Sequence, residues 1–188
     1  MKRRIFALLL IVVLLLSATL FVCCNDVIQL KCAMHRYQRT LNGDLPDDLT
    51  LTIYYLPHYI LTRAPLTVER LMNMDPTVKI VIPSEVLVKH LSTLQRLDAS
   101  AVQPAEKFGM NARLYYVFET GDQKVLEVVM QQFIGDDDAF GTFVNGIQVK
   151  KNTIFYEIIL PFLTEEDRSN LGLSARSNDT DAKEFFFG

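Results

Sequence analysis

Residues 112–133 read ARLYYVFETGDQKVLEVVMQQF. Alternation of inward and outward positions from Ala112 to Glu119, a turn at Gly121-Asp122, and renewed alternation from Lys124 to Phe133 predict an antiparallel β-hairpin. A second hairpin is expected just downstream. Phe140 to Val144 and Ile147 to Lys150 flank Asn145-Gly146, and Asn-Gly suits a tight turn because both central residues need positive φ.

Upstream, Leu49 to Leu56 alternates and is rich in β-formers, which predicts a strand. Pro57-His58 is read as a turn and Tyr59 to Arg63 as its return strand. Val78 to Ile82 is a further short β-branched run that Pro83 ends. Helices are expected at 68–73, capped by Thr67, at 85–97, capped by Ser84, and at 153–163, capped by Asn152 or Thr153 with Pro161 near its end. The predicted fold class is therefore α+β. About six mostly antiparallel, hairpin-built strands pack against two or three helices within a single domain spanning 43–171. Helices on one face would leave the other wetter, with Thr50, Thr52, Arg113, Glu127, Gln131 and Gln148 as its candidate residues.

The N-terminus has a different character. Lys2, Arg3 and Arg4 precede an apolar run from Ile5 to Cys24, which as a helix would be ~30 Å long, about one bilayer core. Residues 1–25 are thus expected to form a signal-anchor or signal segment, with Ile5, Leu9, Val13, Leu16 and Leu20 facing lipid. The basic cluster orients the N-terminus to the cytoplasm and the domain outside it. Leu20, Phe21 and Val22 are large for a cleavage site, which favours an uncleaved anchor. Cys23 and Cys24 keep lipidation open as an alternative, and secretion after cleavage is another.

Residues 26–42 are expected to continue as an amphipathic helix. Val27, Leu30, Met34, Tyr37 and Leu41 form one stripe by their 3-4 spacing. The stripe either docks on the domain or pairs with a second copy as a short coiled coil, giving a homodimer. At the other end, 172–188 is read as a flexible polar tail. It holds Asn178-Asp179-Thr180, a glycosylation acceptor pattern, and the unusual Phe185-Phe186-Phe187.

Composition narrows function more than it defines it. All 22 acidic residues follow the apolar run, and three of the 19 basic ones precede it, so the remainder carries a formal charge of −6. That argues against nucleic acid as a partner. The three cysteines are Cys23, Cys24 and Cys32, so 33–188 can form neither a disulfide nor a cysteine zinc site. Tryptophan is absent, and twelve Phe and seven Tyr supply the large core side chains.

No catalytic, cofactor-binding or metal-binding residue is expected from motif. His35, His58 and His90 lack metal-site spacing, the serines lie in no nucleophile motif, and the glycines form no phosphate loop. Asp136-Asp137-Asp138 is consecutive, unlike the alternating ligands of a calcium loop. The expected function is a membrane-tethered, extracytoplasmic, non-catalytic module whose partners are the lipid bilayer and an envelope or secreted protein or glycan. Two alternatives stand beside it. One is a small envelope hydrolase whose carboxylates converge in three dimensions. The other is an assembly protein that dimerises through the 27–41 helix.

Overall fold

The computed structural model describes residues 25–43, 45–105, 109–131 and 141–173. The apolar run with its anchor positions, Cys23 and Cys24, the Asp136–Asp138 loop and the chain from 174 onward lie outside the described residues. No helix among the described residues is long and apolar enough to cross a membrane.

Among the described residues six strands form one sheet. They are β1 (Leu49–Tyr55), β2 (Val78–Pro83), β3 (Leu114–Thr120), β4 (Gln123–Met130), β5 (Thr142–Val144) and β6 (Ile147–Val149). Their order is β2-β1-β3-β4-β5-β6, and every neighbouring pair is antiparallel. Both hairpins form with the expected turn chemistry. Gly121 sits at φ 51°, Asn145 at φ 48° and Gly146 at φ 77°. Asn145 also ties its turn to β4: its amide donates to the Glu127 carbonyl, and its side-chain oxygen accepts from the Glu127 amide. A local hydrogen-bonding side chain that tolerates left-handed backbone explains why Asn occupies this position.

Around the sheet lie α1 (25–42), α2 (Val68–Met72), α3 (Ser84–Leu87), α4 (Leu91–Leu94), α5 (Ile154–Glu157) and α6 (Glu165–Asn170). Two of the caps are side-chain caps of the usual type. Thr67 accepts from the Arg70 amide, and Thr164 forms a reciprocal capping box with Asp167.

The main core fills one face. Leu49, Leu51, Ile53 and Tyr55 of β1 and Leu114, Tyr116 and Phe118 of β3 meet Leu30, Met34, Tyr37 and Leu41 of α1, and Leu87, Leu94 and Leu97. The α1 stripe is thus engaged by the chain's own domain, with Val27 at its half-buried margin. A homodimer through Leu30, Met34, Tyr37 and Leu41 would require the helix to leave that core. Phenol groups serve as internal ties in a chain without tryptophan: Tyr37 donates to the Leu94 carbonyl at 3.1 Å, Tyr116 to the Phe155 carbonyl at 2.9 Å and Tyr156 to the Gln131 carbonyl at 2.7 Å. Each bond satisfies a hydroxyl that burial would otherwise leave unpaired, while the ring fills core volume.

Several expectations are corrected. Residues 59–63 form no strand, because β1 already has β2 on one side and β3 on the other. The 56–67 segment is instead irregular and pinned by its backbone: Leu56 donates to the Arg113 carbonyl and Ala112 to the Leu66 carbonyl. The 85–97 helix is broken into α3, a 3₁₀ turn at Val88–His90, and α4. The break falls at His90, whose φ −122°, ψ 18° leaves the helical region as its ring packs edge-on against Phe162. Ser84 does not cap; its hydroxyl donates to the Pro46 carbonyl. The 153–163 helix is likewise split, α5 giving way to a 3₁₀ turn at Leu160–Phe162 that holds Pro161. Gly172, at φ 77°, and Leu173 belong to the end of α6 rather than to a tail: Leu173 donates to the Arg168 carbonyl and packs against the core.

The second face is not free. Tyr115, Val117, Val129 and Phe143 form a smaller core there with Leu56, Leu66 and Leu71. Of the residues expected to be wet, Thr52, Arg113 and Gln148 are buried.

Candidate functional site

The sheet has two edges, and they are built differently. On β6 the outer side is occupied. Residues 103–105 run along it, with an isolated bridge between Pro104 and Val149. The Ala105 amide donates to the Gln148 carbonyl at 3.1 Å and the Lys150 amide to the Gln103 carbonyl at 2.8 Å. On β2, no described residue outside β1 makes a backbone hydrogen bond to the strand. An unpaired strand edge presents donors and acceptors in an extended array, ready to pair with another extended segment.

Side chains along the open edge fit this geometry. Val78, Ile80 and Ile82 point to the main core, whereas Lys79, Val81 and Pro83 are exposed on the other face. Val81 is 55% exposed in the middle of the strand. Lys79 and Pro83 flank it, and both residue types discourage indiscriminate edge pairing: a charge must be desolvated, and proline has no amide to donate. The opening is therefore short and centred on Val81.

The half-buried Tyr54 lies beside it, backed by the buried Tyr115. Register places Lys79 against Tyr54, and Tyr54 against Tyr115. The Tyr54 and Tyr115 rings stack at 5.9 Å, and the Lys79 ammonium sits 5.4 Å from the Tyr54 ring centre. The Tyr115 hydroxyl reaches Glu127 at 3.3 Å, and Lys124 meets the same carboxylate at 2.8 Å. Burial, then the Glu127 charge, pushes the Tyr115 phenol up to about 12. It remains a neutral donor at physiological pH.

A second polar feature lies where β3 and β4 open. Arg113 is 7% exposed, and its guanidinium donates to the Ile60 carbonyl at 2.6 Å. Among the described residues its other terminal nitrogen has no hydrogen-bond partner, and neither has the side-chain oxygen of Gln131. Desolvation lowers the Arg113 pKa. Arg113 clamps the 56–67 segment from below and forms no ion pair among the described residues.

The chemistry-bearing residues named from sequence are scattered. His35 is exposed on α1. His58 faces the Asn170 carbonyl at 3.1 Å, and His90 lies on Phe162. Among the described residues no group of three or more His, Cys, Asp or Glu side chains could hold a metal ion. Burial works to raise the Asp167 carboxyl, but hydrogen bonds from Thr164 and Tyr55 outweigh it and hold the pKa below its usual value. Asp98 is lowered by hydrogen bonds from Ser100. A general acid needs the opposite shift, so neither residue suits that part of a hydrolase mechanism.

No sequence motif marks Lys79, Val81 or Tyr54 as a site residue. Their local pattern is that of any strand, and whether a strand is central or marginal depends on pairing between distant segments. No family model matches the chain, and no curated protein or solved structure matches it either.

Proposed function

We propose that the chain is a membrane-tethered, extracytoplasmic binding module without catalytic machinery of its own, which takes up an extended segment of an envelope or secreted protein along β2. The observation that carries this reading is the contrast between the two sheet edges: β6 is sealed by 103–105, whereas β2, paired to β1 on one side, presents exposed Val81 on a strand whose outer side has no partner among the described residues. Strand addition draws affinity from main-chain hydrogen bonds and selectivity from alternate side chains. Here the selecting surface is Val81, Lys79 and the half-buried Tyr54, with the buried Tyr115 ring stacked behind Tyr54. The apolar run from Ile5 to Cys24 supports the tether. Confinement to one membrane raises the effective concentration of a partner on that membrane, so a short edge suffices.

A photo-crosslinking amino acid placed at Lys79 in the full-length chain, in its own cells, tests the reading. It predicts one discrete adduct from position 79 that disappears when Val81→Asp is added, and none from the same probe at Lys150 on the sealed edge. An adduct at twice the chain's mass would identify a second copy as the occupant and overturn the partner assignment. Equal labelling from both edges would overturn the edge assignment.

A further inference from the structure

The antiparallel topology sorts the loops. One end of the sheet carries the start of β1 and the two tight turns, at 121–122 and 145–146. The other end carries the long 56–77 connection, the chain entering β3, and the chain leaving β6. The course of α1 decides which end faces the N-terminal apolar run. Its C-terminal part lies by the start of β1: the Gln95 side chain donates to Asn42, the Tyr37 ring meets Phe118 at 5.1 Å, and Phe118 pairs with Leu51. The helix is buried on the sheet face from Leu41 back to Leu30, and with only 43–48 between it and β1 we take it to run back along the strands, its N-terminus toward the 56–77 end. Asn25 lies ~18 Å of helix before Tyr37. The sheet continues only ~13 Å from Phe118 to Leu114. On that course the start of α1 reaches the level of the 56–77 connection.

Exposed apolar side chains lie on both elements. Tyr59 is 62% exposed, Leu61 89% and Ile28, in the first turns of α1, 59%. The 56–67 segment does not bury Tyr59 and Leu61 under itself, although Ile60 between them packs on the second core and Arg113 holds the Ile60 carbonyl. The backbone is thus fixed so that alternate side chains point away from the protein. Arg63 and Arg70 are balanced by Glu69 and Asp75 within the same connection, so this surface is apolar and aromatic without net charge.

We infer that the 56–67 loop rests on the bilayer that holds the N-terminal run, with Tyr59 and Leu61 in the interfacial layer, and that this second contact sets the orientation of the domain. The inference rests on the tether proposed above. A tyrosine beside an exposed leucine suits the interface, where one end of the ring is apolar and the hydroxyl stays wet. Charge balance implies that anionic lipid is not required. The strands then stand away from the membrane, and the β2 edge is presented sideways to other molecules on the same surface.

The absence of tryptophan makes a clean test available. Full-length Leu61→Trp is reconstituted in phosphatidylcholine vesicles with and without bromine on the acyl chains. Gln123→Trp, at the opposite end of the sheet, is the comparison, and flotation reports the tether separately. The inference predicts that both variants float, and that Leu61→Trp loses about half or more of its indole emission to brominated lipid, as expected for a side chain ~5–10 Å into the interface. Gln123→Trp should lose none. Flotation with no quenching of Leu61→Trp, or with equal quenching of both variants, overturns the loop contact and leaves the tether standing. Failure to float overturns both.

Discussion

The β6 and β2 edges belong to the same sheet, yet only one is finished by the chain itself. At β6, 103–105 supplies hydrogen bonds to the outer side, while Val149 is 1% exposed beneath it. At β2, Ile82 is buried in the main core and Val78 and Ile80 pack against it, but the outer side of the strand has no described partner, and Val81 is left in solvent. The difference separates what the fold needs from what it can lend. An interior position at the sealed edge is coupled to stability, whereas an outward position at the open edge is free to be used in recognition.

Matched substitutions put this contrast at risk. The largest effect is expected for Val149→Asp. It places a carboxylate at a position that is 1% exposed in the main core and should cost about 4 kcal/mol or more, enough to threaten folding of an ordinary domain; denaturant titration measures it. Stability close to that of the parent chain would show that the sealed edge is not part of the core.

Alkaline titration probes the main core by a different route, with a smaller effect. Burial raises the pKa of both Tyr116 and Tyr156, and these phenols tie α5 and the end of β4 into the core. In the unfolded chain a phenol ionises at ~10. Because the folded values are raised, the stabilisation is fully present below pH ~10 and is lost as pH rises toward the folded values. Phenolate absorbance from these residues should therefore appear together with loss of near-ultraviolet circular dichroism. Tyr115, on the second face, should titrate earlier, at about 12. Phenolate signal from Tyr116 and Tyr156 in an intact fold would contradict their role as ties.

The smallest effect on stability belongs to the open edge. Val81→Asp should stay within about 0.5 kcal/mol of the parent chain, because an exposed site has no core contacts to lose. It should nevertheless abolish crosslinking from position 79. Loss of stability at Val81 comparable to that at Val149 would erase the distinction between the edges.

Much of this architecture is readable from local pattern. The Gly121 and Asn145-Gly146 turns, the cap at Thr67, and the α1 stripe all depend on residues close in sequence. What escapes is non-local. Residues 59–63 resemble a return strand, but β1 takes its partner from Val78–Pro83, more than twenty residues on. The helix after Ser84 has continuous leucine spacing, yet it breaks where His90 meets Phe162, a contact between residues far apart in the chain. Arg113 alternates onto what reads as a wet face and is buried because the 56–67 segment folds over it. The candidate site was illegible for the same reason. A strand becomes an edge only through the order of the whole sheet, and nothing within residues 78–83 records that order.

Residue-resolved hydrogen exchange on the isolated full-length protein is the decisive test of the asymmetry. Protection is expected at Ala105 and Lys150, whose amides close the β6 edge, and rapid exchange at alternate amides of β2, those that do not face β1. Uniform protection along β2 in the absence of any partner, matching that of Ala105 and Lys150, would show that its edge is already covered and would refute the open-edge reading.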